Sequence, residues 1–174
     1  MNPLQSAVRA VRLAMSGRLH CPRDNIGAGF TDDFGQRFTV FREVVVDCVD
    51  DQPQCTAVLI AQFHLARMST RTNIWFSLLP IVFIVGLPGF RSKQWLVDDK
   101  TGDFCGYYMW GSISEAEAYA NSFAMAFMTR RAVPSSLRWR IYPFNAAPAA
   151  PYWGEGYGAP DTAIRGRSTV SVER

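Results

Sequence analysis

Residues 86–110 have the sequence GLPGFRSKQWLVDDKTGDFCGYYMW, and this stretch decides the fold that we predict. Two runs rich in aromatic and β-branched residues, Phe90 to Val97 and Phe104 to Trp110, flank the polar segment 98–103. That segment contains one glycine, Gly102, which can adopt a positive φ without a steric penalty. The pattern predicts a β-hairpin with one of the longer turns.

Three further segments have the side-chain alternation of β-strands. From Thr56 to Ala66 both sides are apolar, so we expect this strand to be covered on both faces. Leu137 to Tyr142 forms a final strand. Arg37 to Asp47 alternates as well, apart from Phe41 and Arg42. Its predicted apolar side consists of Phe38, Val40, Val44 and Val46.

Two helices are predicted between these strands. Residues 73–87 are almost wholly apolar but contain Pro80, and a membrane span needs about 20 apolar residues in succession. We therefore expect a buried helix that bends or restarts at the proline, with a membrane span as the less favoured alternative. Ser114 and Glu117 form a capping-box pattern that begins the second helix, and Pro134 ends it.

From Thr56 to Tyr142 the predicted order is strand, helix, strand, strand, helix, strand. This order indicates an α+β fold of the split βαβ, ferredoxin-like type, an antiparallel sheet with two helices on one face. The opposite face of such a sheet would be bare, and a large apolar face does not stay in water. We expect a second copy of the chain to cover it, which makes the protein a homodimer.

A chain of 174 residues is long enough for one domain with a core, and its composition divides it into three parts. Residues 1–36 form a basic N-terminal helix or arm and a loop. Residues 37–143 form the ferredoxin-like domain with an extra N-terminal strand, and 144–174 form an extended tail rich in Pro, Gly and aromatic residues. The tail is either disordered or an arm that wraps over a neighbouring subunit.

The N-terminal segment has no acidic residue before Asp24, and its apolar residues recur at helical spacing. These apolar residues are Leu4, Val8, Val11 and Met15. The pattern predicts a basic amphipathic helix, which we expect to pack on the domain or on a partner. A mitochondrial targeting peptide and a surface anchor are the alternatives.

Charge and cysteine spacing argue against two classes of function. The net charge of +3 comes from scattered basic residues, whereas nucleic-acid-binding proteins concentrate theirs on one face. The four cysteines form no Cys-x-x-Cys pair and only two histidines are present, so we predict no metal site and no cofactor. Free thiols in a reducing, cytoplasmic compartment are expected, with a Cys48–Cys55 bridge as the alternative.

Four short motifs in the middle of the chain resemble one known family. They are Pro88-Gly89-Phe90-x-Ser92-Lys93-x-Trp95-Leu96, Thr101-Gly102, Gly106-x-Tyr108-x-Trp110 and Ala116-Glu117-Ala118-Tyr119. Over residues 56–143 the chain resembles the YdhR-type branch of the dimeric α/β-barrel superfamily, which also contains the antibiotic-biosynthesis monooxygenases. The resemblance implies a dimeric α/β barrel and a monooxygenase-like activity on an unassigned substrate. The N-terminal segment and the tail depart from the family pattern.

Aromatic residues of the predicted sheet and helices can line a pocket. Tyr108 and Trp110 lie two positions apart on one strand and so share a face, and Trp95 lies on the paired strand. With Phe123 on the second helix and Trp75 or Phe76 on the first, they would form a flat cavity for a small apolar or aromatic substrate. The alternative is that these rings belong to the core and the dimer interface.

The candidate catalytic groups belong to the same predicted domain. His64 suits acid–base catalysis near neutral pH, and its alternative role is a hydrogen-bonded histidine at a strand edge. Tyr108 can donate a hydrogen bond to a substrate oxygen, or simply pack. Arg91 and Lys93 share a strand face with Trp95, and they either hold an anionic substrate or form a solvated strand edge.

These features together predict a small-molecule enzyme, a cofactor-independent monooxygenase that acts on an aromatic or polyketide-type substrate. His64 would deprotonate the substrate, and the resulting anion, held by Arg91, would react directly with O₂. An isomerase or cyclase could use the same residues. A non-catalytic dimeric module for ligand binding or assembly is the remaining alternative. Heme degradation, known elsewhere in the superfamily, would need His64 as iron ligand.

Overall fold

A computed structural model of the protein describes residues 2–32, 34–48, 55–66 and 69–148. Its elements, in chain order, are α1 (Pro3–Met15), β1 (Leu19–His20), β2 (Gly29–Thr31), β3 (Arg37–Val46), β4 (Ala57–Phe63), α2 (Thr70–Phe76), α3 (Leu79–Ile84), β5 (Phe90–Val97), β6 (Phe104–Trp110), α4 (Ile113–Ala120), α5 (Phe123–Arg131), β7 (Arg138–Pro143) and a short 3-10 helix (Phe144–Ala146). Residues 50–53, between the first two predicted strands, and the tail beyond residue 148 lie outside the described residues.

The described strands form one antiparallel sheet of seven strands, in the order β1-β3-β5-β6-β4-β7, and β2 also pairs with β3. Within it, the four strands β7-β4-β6-β5 are connected through helices as in the ferredoxin-like fold. The predicted α+β, ferredoxin-like class is therefore confirmed. The extra strand β3 extends this unit by pairing with β5.

The hairpin has the bounds that the sequence predicts, with β5 at Phe90–Val97 and β6 at Phe104–Trp110. Two backbone hydrogen bonds close its turn. The Asp98 N–H donates to the Asp103 carbonyl at 2.9 Å, and the Gly102 N–H donates to the Asp98 carbonyl at 2.8 Å. Gly102 has a φ of +74°, which a side chain would strain. Local turn chemistry therefore sets the register at the centre of the sheet.

The apolar segment before the hairpin forms two short helices rather than one. The side chain of Ser69 accepts a hydrogen bond from the Thr72 N–H, so α2 begins before residue 73. α2 ends at Phe76, and α3 restarts at Leu79 with Pro80 in its first turn, where a proline fits. None of the described helices is long and apolar enough to cross a membrane.

The helix that follows the hairpin is also divided. Ser112 rather than Ser114 caps α4, because the Ser112 side chain accepts from the Glu115 N–H at 3.2 Å. The chain leaves the helix at Asn121, and Ser122 caps α5 in the same way. The predicted pair of helices is thus a set of four, α2 to α5, and they cover one face of the sheet.

The N-terminal segment forms helix α1, which packs on α3. Its buried residues are Ser6, Ala10 and Leu13, and the Ser6 hydroxyl donates a hydrogen bond to the Phe83 carbonyl. The apolar stripe that predicts the helix is exposed instead of packed; it comprises Leu4, Val8, Val11 and Met15. The following segment, predicted as a loop, contributes the short strands β1 and β2, which pair with β3.

A β-bulge in β3 changes which of its side chains face the helices. The register of β3 with β5 shifts between Val40 and Arg42. Phe38 and Val40 lie in the core on the far face of the sheet, whereas Val44 and Val46 lie in the core under the helices. The prediction that all four share one side was wrong, because one extra residue reverses the alternation.

The far face of the sheet is not bare. Leu96 and Tyr107 are buried there, in contact with the cluster that includes Phe30 of β2 and Phe144 after β7. The Tyr107 hydroxyl also donates to the Pro148 carbonyl at 3.0 Å. The reason for expecting a homodimer, an uncovered apolar face, was therefore wrong. The homodimer itself stays a prediction.

Gly86 lies where α1 meets the end of α3, and its substitution tests this contact. A Cβ on Gly86 would stand 1.9 Å from the Ser6 carbonyl oxygen. We expect Gly86→Ala to displace α1 and to lower the free energy of unfolding by about 1–3 kcal/mol in urea titrations. Gly29→Ala is the control, because its Cβ would approach only the Arg37 side chain, at 3.4 Å. Equal stability of Gly86→Ala and the wild type would contradict the packing of α1.

Candidate functional site

A small cavity lies between the helices and the helix-facing side of β5 and β6. Its volume is about 30 Å³, which is room for one water molecule or one diatomic gas molecule. Its lining on the strands includes Lys93, Trp95, Gly106 and Tyr108, and its lining on or beside the helices includes Asn73, Ser77, Met128 and Arg131. The cavity therefore combines a basic side chain with aromatic rings.

Lys93 lies on an interior strand, because β5 has a neighbouring strand on each side, and helix residues such as Asn73 and Met128 lie over the same face. β3 pairs with Lys93 through Val44, and β6 pairs with it through Tyr108. Lys93 is 2% exposed and Arg91 is 6% exposed. The interpretation of these two residues as a solvated strand edge was therefore wrong. β5 would be an edge in the four-stranded ferredoxin-like unit, and β3 removes that edge.

The surroundings of Lys93 disfavour its charged form. Its Nζ lies 4.1 Å from the ring centroid of Trp95 and 4.4 Å from that of Tyr108. Burial lowers the pKa of Lys93 well below its usual range; the Cys105 thiol opposes this shift and the Arg42 charge adds to it. Cation–π attraction favours the ammonium by about 2 kcal/mol, less than full burial of a lysine removes. Among the described residues no carboxylate lies within salt-bridge distance of Lys93.

Tyr108 is a neutral hydroxyl at the same cavity. It accepts a hydrogen bond from the Tyr119 hydroxyl at 2.9 Å and donates one to the Met128 sulfur at 3.6 Å. Burial and the neighbouring Tyr119 raise the pKa of Tyr108 well above its usual range. Gly106 leaves room for its ring, since a Cβ there would approach the ring to 2.5 Å. Tyr108 can therefore donate a hydrogen bond but does not serve as a base near neutral pH.

Two arginines add positive charge around Lys93. Arg131 donates to the Asn73 Oδ1 atom at 2.9 Å, and its guanidinium lies 4.4 Å from the Phe76 ring centroid. Arg42 donates a hydrogen bond to the Ser77 hydroxyl. Burial lowers the pKa of both guanidinium groups, yet arginine remains charged in proteins. The cavity therefore favours an anionic molecule over a cationic one.

The five aromatic residues that the sequence assigns to one pocket are divided in the structure. Trp95 and Tyr108 line the cavity at Lys93. Trp110 and Phe123 line a separate groove of about 410 Å³ beside α4. The Trp75 residue is 69% exposed and lies on the outer side of α2. Only two of the five predicted pocket aromatics, Trp95 and Tyr108, therefore line the cavity at Lys93.

His64, the predicted base, and Arg91, the predicted anion-binding residue, do not line the cavity at Lys93. His64 follows β4, its side chain is half exposed, and its Nδ1 atom is 2.7 Å from the Asp103 carboxylate. Arg91 occupies the bulge between Phe90 and Ser92, and it lines a groove beside α1. The geometry of His64 matches the strand-edge alternative that its sequence position allows.

Sequence reasoning placed Lys93 among the anion-binding candidates and missed its position as the buried centre of the cavity. Part of the signal was available, because Lys93, Trp95 and the facing Tyr108 occupy neighbouring positions on one sheet face. The sequence does not indicate which strand pairs with β3. In the structure β3 pairs with β5 and Val44 lies opposite Lys93, and no local sequence pattern specifies a contact between positions so far apart in the chain.

The strand order and the cavity define an α+β protein of the ferredoxin-like class. No protein-family profile matches the chain, and no curated protein sequence matches it. Among solved structures, an anthrone oxidase-like protein has 15% identity and a TM-score of 0.46 over 62% of this chain, and the chain spans 54% of that protein.

Two similar structures come from Listeria monocytogenes. A ferredoxin-fold protein related to antibiotic biosynthesis monooxygenases has 12% identity and a TM-score of 0.49, over 76% of this chain and 86% of that one. The heme-degrading enzyme LmHde has 13% identity and a TM-score of 0.49, over 77% of this chain and 92% of that one. The YdhR-type branch stays a prediction.

Replacement of Lys93 tests its buried, weakly basic state. The pKa of Lys93 in the folded state lies below the unfolded value of about 10.4. At a pH between these two pKa values, the unfolded chain carries a proton on Lys93 that the folded chain lacks. The stability of the wild type therefore rises as the pH increases through this window. Lys93→Met removes this effect. We expect the variant to melt several degrees higher near neutral pH, since 1 kcal/mol corresponds to about 2–4 °C here, and the gain to shrink towards about pH 10.

Lys100→Met, the same change at an exposed turn residue, is the control and should leave the melting temperature within about 1 °C. Calorimetry over this pH range measures both variants. A Lys93→Met protein that is less stable than the wild type near neutral pH would show that the ammonium is held there as a stabilising group.

Proposed function

We propose that the protein is a small-molecule enzyme that oxidises a planar aromatic substrate with O₂ at the Lys93 cavity, without a cofactor. One observation carries the proposal: a buried amine, with no carboxylate partner among the described residues, lies between two aromatic rings beside a cavity of molecular-oxygen size. Strongly perturbed titratable groups beside cavities concentrate at functional sites. The resemblance of residues 56–143 to a superfamily with monooxygenase members supports the same reaction class.

In this proposal Lys93 takes the role that the sequence suggested for His64. The neutral Lys93 amine removes a proton from a CH₂ group flanked by aromatic rings or a carbonyl. The resulting carbanion donates electrons to O₂ and forms a C–O bond. Loss of the second hydrogen with cleavage of the O–O bond then gives a ketone and water, so that CH₂ + O₂ yields C=O + H₂O. The substrate supplies all the electrons, and no other reductant is needed.

The surrounding groups fit the charge that develops in this reaction. Arg131 and Arg42 provide positive charge near the anionic intermediate, as the sequence had suggested for Arg91. The Tyr108 hydroxyl can redirect its hydrogen bond from Met128 to a substrate oxygen. Its weak sulfur acceptor makes that exchange favourable.

The substrate ring needs more space than the cavity offers in this conformation. A volume of about 30 Å³ accepts O₂ but no aromatic ring. Helix α5 and the pair α2 and α3 line the cavity on the helix side. The part of the cover formed by α2 and α3 consists of short helices separated by a break between Phe76 and Leu79. In the proposal this cover moves to admit the ring, whose faces then contact Trp95 and Tyr108. Short helices with little buried surface are the parts of a fold that open most readily.

Oxidation of anthrone, which carries an acidic CH₂ between two rings, tests the proposal. We expect the wild type to accelerate O₂ consumption and ketone formation above the spontaneous rate. Lys93→Met should lower the enzymatic rate by at least about 100-fold, the usual contribution of a general base. His64→Ala should retain activity within about threefold, and so should the control Lys100→Met. An oxygen electrode measures O₂ consumption, and the absorbance of the ketone measures product formation.

The other outcomes assign the function differently. An inactive His64→Ala protein beside an active Lys93→Met protein would return the role of base to His64. Rearrangement of a related substrate without O₂, lost in Lys93→Met, would indicate the isomerase or cyclase alternative at the same cavity. Failure of anthrone and its hydroxylated analogues both to bind and to react would contradict the proposal and favour a non-catalytic module.

A further inference from the structure

A second concave site lies beside α1, and none of the described residues lines both this site and the Lys93 cavity. The groove has a volume of about 310 Å³, within the range of small-molecule sites. It is formed where α1, the end of β3 and the start of β5 meet. Four arginines line it, and they are Arg9, Arg12, Arg18 and Arg91. We call it the arginine groove.

The rim of the arginine groove carries positive charge that the described part of the chain does not neutralise. Arg9 and Arg12 lie one helical turn apart on α1, so their charges repel each other. No carboxylate of the described residues lies within salt-bridge distance of Arg9, Arg12 or Arg18. Asp47 is the one acidic residue among the described residues of the lining, and its carboxylate is 2.7 Å from His20 instead. The concave walls of the groove concentrate the positive electrostatic potential of these arginines in the space between them.

The floor of the arginine groove is apolar. Leu13 of α1, Leu87 after α3 and Phe90 of β5 line it, and each is less than a tenth exposed. Arg91 also lines the groove, and it is itself 6% exposed. A small inorganic anion would contact the rim and leave the floor in water. A neutral hydrocarbon would cover the floor and leave Arg9, Arg12 and Arg18 without a counter-charge from the described residues. The lining therefore suits a molecule with both parts.

We propose that the arginine groove binds an anionic headgroup, a carboxylate or a phosphate, that is joined to an apolar chain or ring. The headgroup accepts hydrogen bonds from Arg9 and Arg12, whose guanidinium geometry suits two-oxygen anions. The apolar part lies on Leu13, Leu87 and Phe90. The molecule is either free in solution or part of a lipid in a bilayer, and these sources share the same recognition chemistry.

Calorimetric titration of the full chain at low salt tests the proposal. The probes are octyl phosphate and octanoate below their micelle-forming concentrations, with inorganic phosphate and octanol as the two half-molecules. Vesicles of phosphatidylglycerol, with phosphatidylcholine vesicles as the neutral control, present the headgroup in a bilayer. We expect an anionic amphiphile to bind saturably, and at least about tenfold more tightly than either half-molecule.

The double variant Arg9→Gln, Arg12→Gln should weaken this binding at least about tenfold, and both side chains are exposed, so the fold should tolerate the change. The matched control Arg23→Gln, Arg71→Gln removes the same charge at exposed positions outside the groove and should change the affinity less than about twofold. Lys93→Met should bind as the wild type does, which separates this site from the proposed oxidation.

Each result decides one question. Binding of free octyl phosphate or octanoate, lost in the groove variant alone, supports a soluble ligand. Binding only to phosphatidylglycerol vesicles, lost in the groove variant alone, supports a lipid headgroup as the source. If neither presentation of the anion binds, or if the groove variant and its matched control lose the same affinity, the arginine groove is not an anion site and the proposal fails.

Discussion

The pairing of β3 with β5 is the interaction on which the rest of the structure depends. A four-stranded ferredoxin-like sheet would leave β5 at its edge, and a lysine on that edge would reach water at little cost. β3 closes the edge with backbone hydrogen bonds and covers Lys93 through Val44. The bulge in β3 then places Arg42 opposite Trp95, on the side of the helices. One added strand both buries the amine and supplies a charge that weakens its basicity.

A buried lysine without a carboxylate partner among the described residues lowers the stability of the fold. The rings of Trp95 and Tyr108 offset part of that cost, but a methionine of similar volume would cost less. Proteins keep such groups mainly where their chemistry is used, since a stable alternative is one substitution away. Tyr108 is consistent with this view, because its hydroxyl donates to a thioether, the weakest acceptor it could have, and remains available to a better one.

The sequence predicted those parts of the fold that short-range chemistry determines. Both strands of the hairpin have the predicted bounds, because Gly102 and the acidic turn determine the local backbone over a few positions. The start of α4 was misplaced because the Ser-x-x-Glu pattern occurs twice, from Ser112 and from Ser114. β6 continues to Trp110, so the chain turns at the first serine. The partner of β3 and the coverage of the far face depend on distant contacts, and the sequence contained no local signal for them.

The basic residues are scattered along the sequence, but the fold groups some of them in space. A net charge of +3 with scattered basic residues indicated an ordinary solvated surface. In the fold, Arg91 and Lys93 are near neighbours on β5, but they line different sites, and a bulge lies between Phe90 and Ser92. Arg91 joins the arginine groove at α1, and Lys93 joins the cavity under α2 and α3. One strand thus contributes a basic residue to each of two sites, and each site has its own apolar lining.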